Sequence, residues 1–217
     1  MATTVQSVVD NAEKILHDTT NVTWSAADLA EWCSYGQAAI VTRKPDAYVK
    51  HEAFILVAGT VQSISDAVIL FDITRNMGTG GSTPGNAITR INREVLDAVL
   101  PSWPAATASA TVKHWMYDPK DAKRFHVYPP QPASGFGYVD GVWSALPDSI
   151  GIDDNITLDD IYRDPLLDYI LFRAFSIDAA ISPYAAQRAT AHAQMFLNSI
   201  GSKETVEEFY AKEAAGG

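Results

Sequence analysis

Cysteine is almost missing from this chain, and its scarcity closes several routes at once. Cys33 stands alone among 217 residues, so no intrachain disulfide and no cysteine-based zinc site can form. Long apolar runs are missing too. Stretches such as Ile69-Leu70-Phe71 and Ile170-Leu171-Phe172 fall far short of the roughly 20 residues that a membrane-spanning helix requires. Met1 to Val5 show no basic segment leading into an apolar run, the pattern of a secretory leader, so folding in a cytoplasm is expected. Basic charge is also in short supply: 16 Lys and Arg stand against 26 Asp and Glu, a formal charge of −10. Duplex DNA is gripped chiefly by neutralising its phosphates with Lys and Arg. A chain this acidic is badly suited to wrapping DNA, though not to standing beside it.

What is present is the material of a folded core. Hydrophobic residues make up 47% of the chain and charged ones 19%, a globular balance and not that of a disordered tail. Thr3 and Gln6 stand at capping-box spacing, followed by Val5, Val8, Val9, Ala12 and Leu16 on one helical face. A second helix opens with Ser25 as N-cap and Asp28 three residues on, with Trp24 and Leu29 placed as a hydrophobic staple. Leu29, Trp32, Cys33, Gly36 and Ile40 continue its buried stripe, where Cys33 is expected as a small core residue. Lys44-Pro45 ends it, because proline disfavours helical geometry in the residue before it.

The period then changes from helical to alternating. His51–Val57 and Val61–Thr74, broken by Ala58-Gly59-Thr60, read as a hairpin followed by a further strand. Residues 76–86 are rich in Gly, Ser and Thr and read as a loop. Asn92 is placed to cap a short helix from Arg93 to Leu100, stopped by Pro101. Thr111–Tyr117, Phe125–Tyr128 and Tyr138–Ser144 complete the strands, with Asp118-Pro119-Lys120-Asp121 as a turn and Pro129-Pro130 closing the second of them. Beyond the acidic loop at Asp153-Asp154, Asp164-Pro165 reads as an N-cap with proline at the first helical position. Leu166, Leu167, Ile170, Leu171, Ala174 and Phe175 form that helix's stripe. Ser182-Pro183 repeats the start signal for a helix lined by Ala186, Ala189, Ala193, Phe196, Leu197 and Ile200, with Gly201 just past its end. Helices at both ends and strands between predict an α+β fold: residues 1–48 and 156–217 as one helical bundle, and an antiparallel β-rich insertion over residues 49–155.

Catalytic signatures are thin. His17, His51, His114, His126 and His192 are scattered, without the i,i+4 pair of a zinc helix. Gly78-Thr79-Gly80-Gly81-Ser82-Thr83-Pro84-Gly85 resembles a phosphate loop only superficially, because it lacks the closing Gly-Lys-Ser/Thr and places proline where a helix should begin. It reads as a surface loop that could order against a neighbouring subunit, with Gly78, Gly80, Gly81 and Pro84 as its key residues. Asp153-Asp154 and Asp159-Asp160 lack the alternating ligands and tight glycine turn of a calcium loop. The latter pair fits the first turn of a short helix, where acids complement the helix dipole. The nucleophile-elbow motif Gly-x-Ser-x-Gly is absent. No cofactor and no metal are expected.

Several colinear stretches carry a resemblance. They are Ile15-Leu16-His17-Asp18-Thr19-Thr20-Asn21-Val22-Thr23-Trp24, Lys44-Pro45-Asp46-Ala47, Arg75-Asn76-Met77-Gly78 and Asn92-Arg93-Glu94-Val95-Leu96-Asp97. Phe125-His126-Val127-Tyr128-Pro129-Pro130, Leu158-Asp159-Asp160-Ile161-Tyr162, Leu167-Asp168-Tyr169 and Arg173-Ala174 follow. In this order, over roughly Val8 to Ser202, the chain resembles the adaptor, or head-to-tail connector, proteins of short-tailed bacteriophages, also called gateway or head-completion proteins. The resemblance implies a virion structural protein, not an enzyme, assembled in the host cytoplasm into a twelve-subunit ring at the neck. Its implied partners are the portal protein, the tail nozzle protein and other copies of itself, with tail fibres a further candidate. DNA would pass through the ring without sequence-specific binding, and no membrane is involved. The helical part would face the portal and the β-rich part the tail. Val206, Phe209 and Tyr210 give the C-terminal segment an apolar face, and its aromatic anchors Phe209 and Tyr210 suit either docking in a portal groove or weak packing of a frayed end on the chain's own bundle.

Two other readings compete. One is a different phage tail part, a tail tube or fibre-attachment protein, in which the β region makes the contacts. The other is a small hydrolase with a site around His114, Asp118 and His126, which requires those three side chains to converge.

Overall fold

A computed structural model describes residues 3–201, and within them the chain divides into two compact units. The first takes the chain up to Tyr48 and resumes at Leu146; the second spans Val49–Ala145. The architecture is α+β.

The first unit is built from four helices: α1 (Val5–Leu16), α2 (Ala26–Arg43), α4 (Arg163–Asp178) and α5 (Pro183–Ile200). Ser25 caps α2, its hydroxyl accepting the Asp28 N–H at 3.1 Å. The expected stripe of Leu29, Trp32, Cys33, Gly36 and Ile40 is buried. Gly36 is required by proximity: a Cβ there would stand 2.9 Å from Leu166 of α4, so only glycine lets the two helices approach this closely.

Two helix starts and one buried stripe differ from the sequence reading. Thr4, not Thr3, caps α1, accepting from the Ser7 N–H at 3.1 Å. Thr3 is engaged elsewhere: its carbonyl accepts from Ile156 and its N–H donates to Asp160 Oδ1 at 2.7 Å, which binds the start of the chain to the returning segment. Asp164 is not the cap of α4. That helix begins at Arg163, directly after a 3-10 turn over Asp160–Tyr162 that Asp159 caps through the Ile161 N–H. Pro165 therefore sits deeper in the first turn than expected, at no cost, because every N–H of a first turn lacks an intrahelical partner. In α5 the Ser182 cap holds, but the buried stripe is Ala185, Ala189, Phe196 and Ile200, with Leu197 exposed.

The residues 146–155 loop belongs to the helical unit. Ile150 donates to Ser34 Oγ, and Asn155 pairs with Thr4 as an isolated antiparallel bridge. Gln37, wholly buried in α2, accepts the N–H groups of Thr157 and Leu158 on one side-chain oxygen at 2.7 and 3.1 Å. A buried glutamine carries no signal in helical periodicity beyond its place on the apolar face.

The second unit holds β1 (Val49–Ile55), β2 (Gly59–Ser63), β3 (Ala67–Asn76), β4 (Thr89–Arg90), β5 (His114–Asp118), β6 (Asp121–Gln131) and β7 (Tyr138–Ala145), with the short helix α3 (Arg93–Val99) capped by Asn92. They form two sheets, ordered β1-β7-β3 and β2-β6-β5-β4. The expected hairpin between the first two strands does not exist. β1 pairs with β7 from Val49↔Ser144 to Ile55↔Tyr138, while β2 pairs with β6. The further strand expected within Val61–Thr74 is present: β2 ends at Ser63, β3 begins at Ala67, and the two enter different sheets. All pairings are antiparallel except β4 with β5, which is parallel.

The two sheets meet through aromatic side chains. Phe54 stands edge-on to Trp143 at 5.7 Å and to Phe125 at 6.2 Å, and Trp115 packs on Phe125 at 6.4 Å. Edge-to-face contacts of this kind set the positive edge of one ring against the negative face of the next, a gain beyond the area they bury. Pro129-Pro130 does not close β6, which runs on to Gln131. Proline lacks a donor but keeps its carbonyl, and Pro130 accepts from the Ser109 N–H. The Tyr128–Pro129 bond is cis.

Candidate functional site

Three surfaces gather the residues that the sequence singles out or that the fold exposes. The first is the glycine-rich loop between β3 and β4. It is stitched to the start of β7: Met77 donates to the Tyr138 carbonyl at 2.7 Å and Tyr138 donates to that of Gly78 at 3.1 Å. Gly78 and Gly81 both take positive φ, +68° and +74°, a region costly for residues with a Cβ. A Cβ on Gly81 would also stand 2.8 Å from the Tyr138 ring. Gly80 and Pro84 lie at the exposed tip. The loop's base is anchored by Asn76, whose amide is buried and bonds the main chain of Val112 and Asn86. The result is an exposed tip on a firmly held base, and no lysine or helix start is offered to a phosphate.

The second surface is an open groove of about 510 Å³ between α3 and the β5–β6 turn. Arg93, Glu94, Asp97, Asp118, Lys120 and His126 line it, so its charges alternate. Asp97 accepts the Trp103 indole N–H at 2.7 Å and lies 3.5 Å from Arg93. Burial, reinforced by the Arg93 guanidinium, holds the His126 imidazole below its ordinary range, which favours its neutral form. The convergence needed for a hydrolase is not there. His126 shares this groove with Asp118, but His114 is not among its lining residues. Its ring stacks on Tyr128 at 6.1 Å, while His126 stands edge-on to Trp103. The strand register explains this: His114 pairs with Tyr128 and Met116 with His126, so the two histidines share a sheet face without being opposite one another. No serine, threonine or cysteine lines the groove. Among the described residues no three His, Cys, Asp or Glu side chains cluster as a metal site. Cys33 is buried, and its thiol is pushed up to about 12 by that burial, far from the reactive thiolate.

The third surface lies on the helical unit, where α4 turns into α5. Ile177, Ile181 and Tyr184 are exposed there, Ile181 to 86%. Beneath them the two helices are joined by His192 Nδ1, 2.9 Å from Asp168 Oδ1, and by stacking of His192 on Phe175. Exposed apolar side chains in a cluster mark contact surfaces more often than scattered ones do. Helical periodicity did not disclose this cluster, because its residues lie outside the apolar stripes read for the two helices. Val206, Phe209 and Tyr210 lie outside the described residues. Among the described residues no helix is long and apolar enough to cross a membrane.

Comparison with known proteins adds one finding to this geometry. A family model described as SU10 adaptor protein matches residues 3–215, nearly the whole chain. No curated protein matches.

Proposed function

The chain belongs to the SU10 adaptor protein family, a family of structural phage proteins, and from that premise we propose that it forms the ring joining portal to tail nozzle. The observation that carries this reading is the match over residues 3–215, which spans both compact units. A connector has to hold two different partners. A helical unit and a β unit, each with its own core, supply separate surfaces for that task.

In this reading twelve copies close head-to-tail below the portal. Such a ring uses two different faces of each subunit, and closure removes every free face. Each copy is then held from both sides, which makes even a moderate interface durable. The helical unit meets the portal and the β unit the tail nozzle. The segment carrying Val206, Phe209 and Tyr210 docks in the portal, and the loop tip at Gly80 and Pro84 orders against a neighbouring copy. The formal charge of −10 lets DNA pass the channel without the phosphate contacts that would retard it. The ring is part of the virion neck, assembled in the host cytoplasm.

The test is direct. Negative-stain microscopy of the purified chain mixed with the portal of the same phage is expected to show a ring added to one end of the portal. Portal particles unchanged by the mixture would overturn the proposal.

A further inference from the structure

The helical unit carries both an exposed apolar knob and an apolar groove. The knob is the α4–α5 turn, where Ile177 is 56% exposed, Ile181 86% and Tyr184 68%. It is held in shape from below. The Asp178 carbonyl accepts from the N–H groups of both Ile181 and Ser182, and Ser182 caps α5. The Arg188 guanidinium lies 4.1 Å over the Phe175 ring and 5.8 Å from that of Tyr184.

The groove, of about 280 Å³, lies between α2 and the loop that follows Ser149. Ala27, Ala30, Ile150 and Ile152 give it an apolar lining, with the Ser34 hydroxyl among them. Glu31 stands at its rim beside Tyr35, whose hydroxyl donates to the Glu31 carboxylate. The loop wall is fixed by the bond from Ile150 to Ser34 and by the turn in which Gly151 donates to Asp154 at 2.7 Å. The groove is therefore a standing feature and not a gap between loose segments.

From this pairing we infer that the knob of one copy seats in the α2 groove of the next. An apolar projection that matches a pocket elsewhere on the same molecule makes a heterologous contact, the type a closed ring requires. Charge agrees with the placement: Arg188 flanks the knob and Glu31 the groove, so seating brings opposite signs together at the rim. A branched aliphatic side chain, Ile181, enters at the centre, and Tyr184 covers the edge. The inference rests on the ring reading above and names its subunit contact.

The test uses the full chain in a Cys33→Ser background, with and without portal present. Ile181→Cys and Ala27→Cys variants, mixed in equal amounts and treated with a short bismaleimide, are expected to give a crosslinked heterodimer. Val22→Cys, equally exposed in the same unit at 84%, is expected to give none with Ala27→Cys. Ile181→Asp is expected to weaken self-association by about tenfold or more, the range of an interface anchor. Its own melting temperature is expected to be unchanged, because Ile181 contributes little to the core. Rings that persist with Ile181→Asp, and without the Ile181–Ala27 crosslink, overturn this contact while leaving the ring standing. A chain that stays monomeric in every condition overturns both.

Discussion

Both ends of the Asn76 amide engage a single residue. Oδ1 accepts the Val112 N–H at 2.8 Å, and Nδ2 donates to the Val112 carbonyl at the same distance, all in buried surroundings. Nδ2 also reaches the Asn86 carbonyl at 3.0 Å. The side chain thus imitates one rung of a β-ladder where no strand is available. Asn76→Ala leaves the Val112 groups buried and unpaired, at about 1–3 kcal/mol for each. A loss of about 2–6 kcal/mol in urea denaturation is expected on that basis. Asn76→Asp should be no milder, since a carboxylate would face carbonyl oxygens where the amide now donates.

Gly141 faces Phe54 across the β1–β7 pairing, and a Cβ on it would stand 2.6 Å from the ring. Gly141→Ala is expected to destabilise by about 1–3 kcal/mol, the usual range for overpacking. Phe54→Leu in the same chain should recover part of that loss, although it forfeits the contacts with Trp143 and Phe125. The four chains of a double-mutant cycle, compared by chemical denaturation, measure the coupling.

Asp18 holds the α1–α2 connection together. Its carboxylate accepts the N–H groups of Val22, Thr23 and Trp24, each at 2.8 Å. The bond from Trp24 foremost, with those from Val22 and Thr23, keeps its pKa below the ordinary value against the opposing effect of burial. A depressed carboxyl stabilises the fold fully above its unfolded pKa, near 3.9. That contribution is lost as pH falls through the lower folded value. The melting temperature of the wild-type chain should therefore drop over that acid window. Asp18→Asn, less stable at neutral pH, should show a shallower drop there.

His126 titrates with the opposite charge and the same direction of outcome. Its folded pKa is lowered, first by burial and then by Arg93. Between the unfolded value near 6.5 and that lower folded value, the unfolded chain takes up the proton first. Stability is then complete above about pH 6.5 and declines as pH falls through the window. Thermal melts from pH 7.5 to 5 (a range chosen about that value) should show the decline. His126→Leu should remove this component and leave the Asp18 limb untouched.

Much of the helical part was legible before any coordinates. Ser25, Asn92 and Ser182 announce their helices through hydroxyl or amide groups placed to accept the first free N–H, a signal wholly local in the chain. The buried stripe of α2 follows from period alone. Strand pairing was not legible, because alternation tells which residues face inward and says nothing about which strand lies alongside. β1 finds its partner in β7, far along the chain, and the nearby β2 joins the other sheet. The errors at Thr3 and Asp164 have separate causes: Thr3 is held by Asp160 and Ile156, and the 3-10 turn over Asp160–Tyr162 runs directly into α4, so that the helix begins before Asp164. The family resemblance reached the class of protein, which neither periodicity nor spacing could. It also included Asn76 and Asp18 among its stretches without showing that both act by bonding main-chain groups. The Ile181 cluster was hidden because its residues lie outside the apolar stripes that the helical period gives for α4 and α5.

The most direct measurement of the central claim is mass photometry of portal particles titrated with the full chain. The account predicts a saturable, discrete gain in particle mass equal to twelve chains per portal ring. A mass that never rises, or that rises without a plateau, would contradict it.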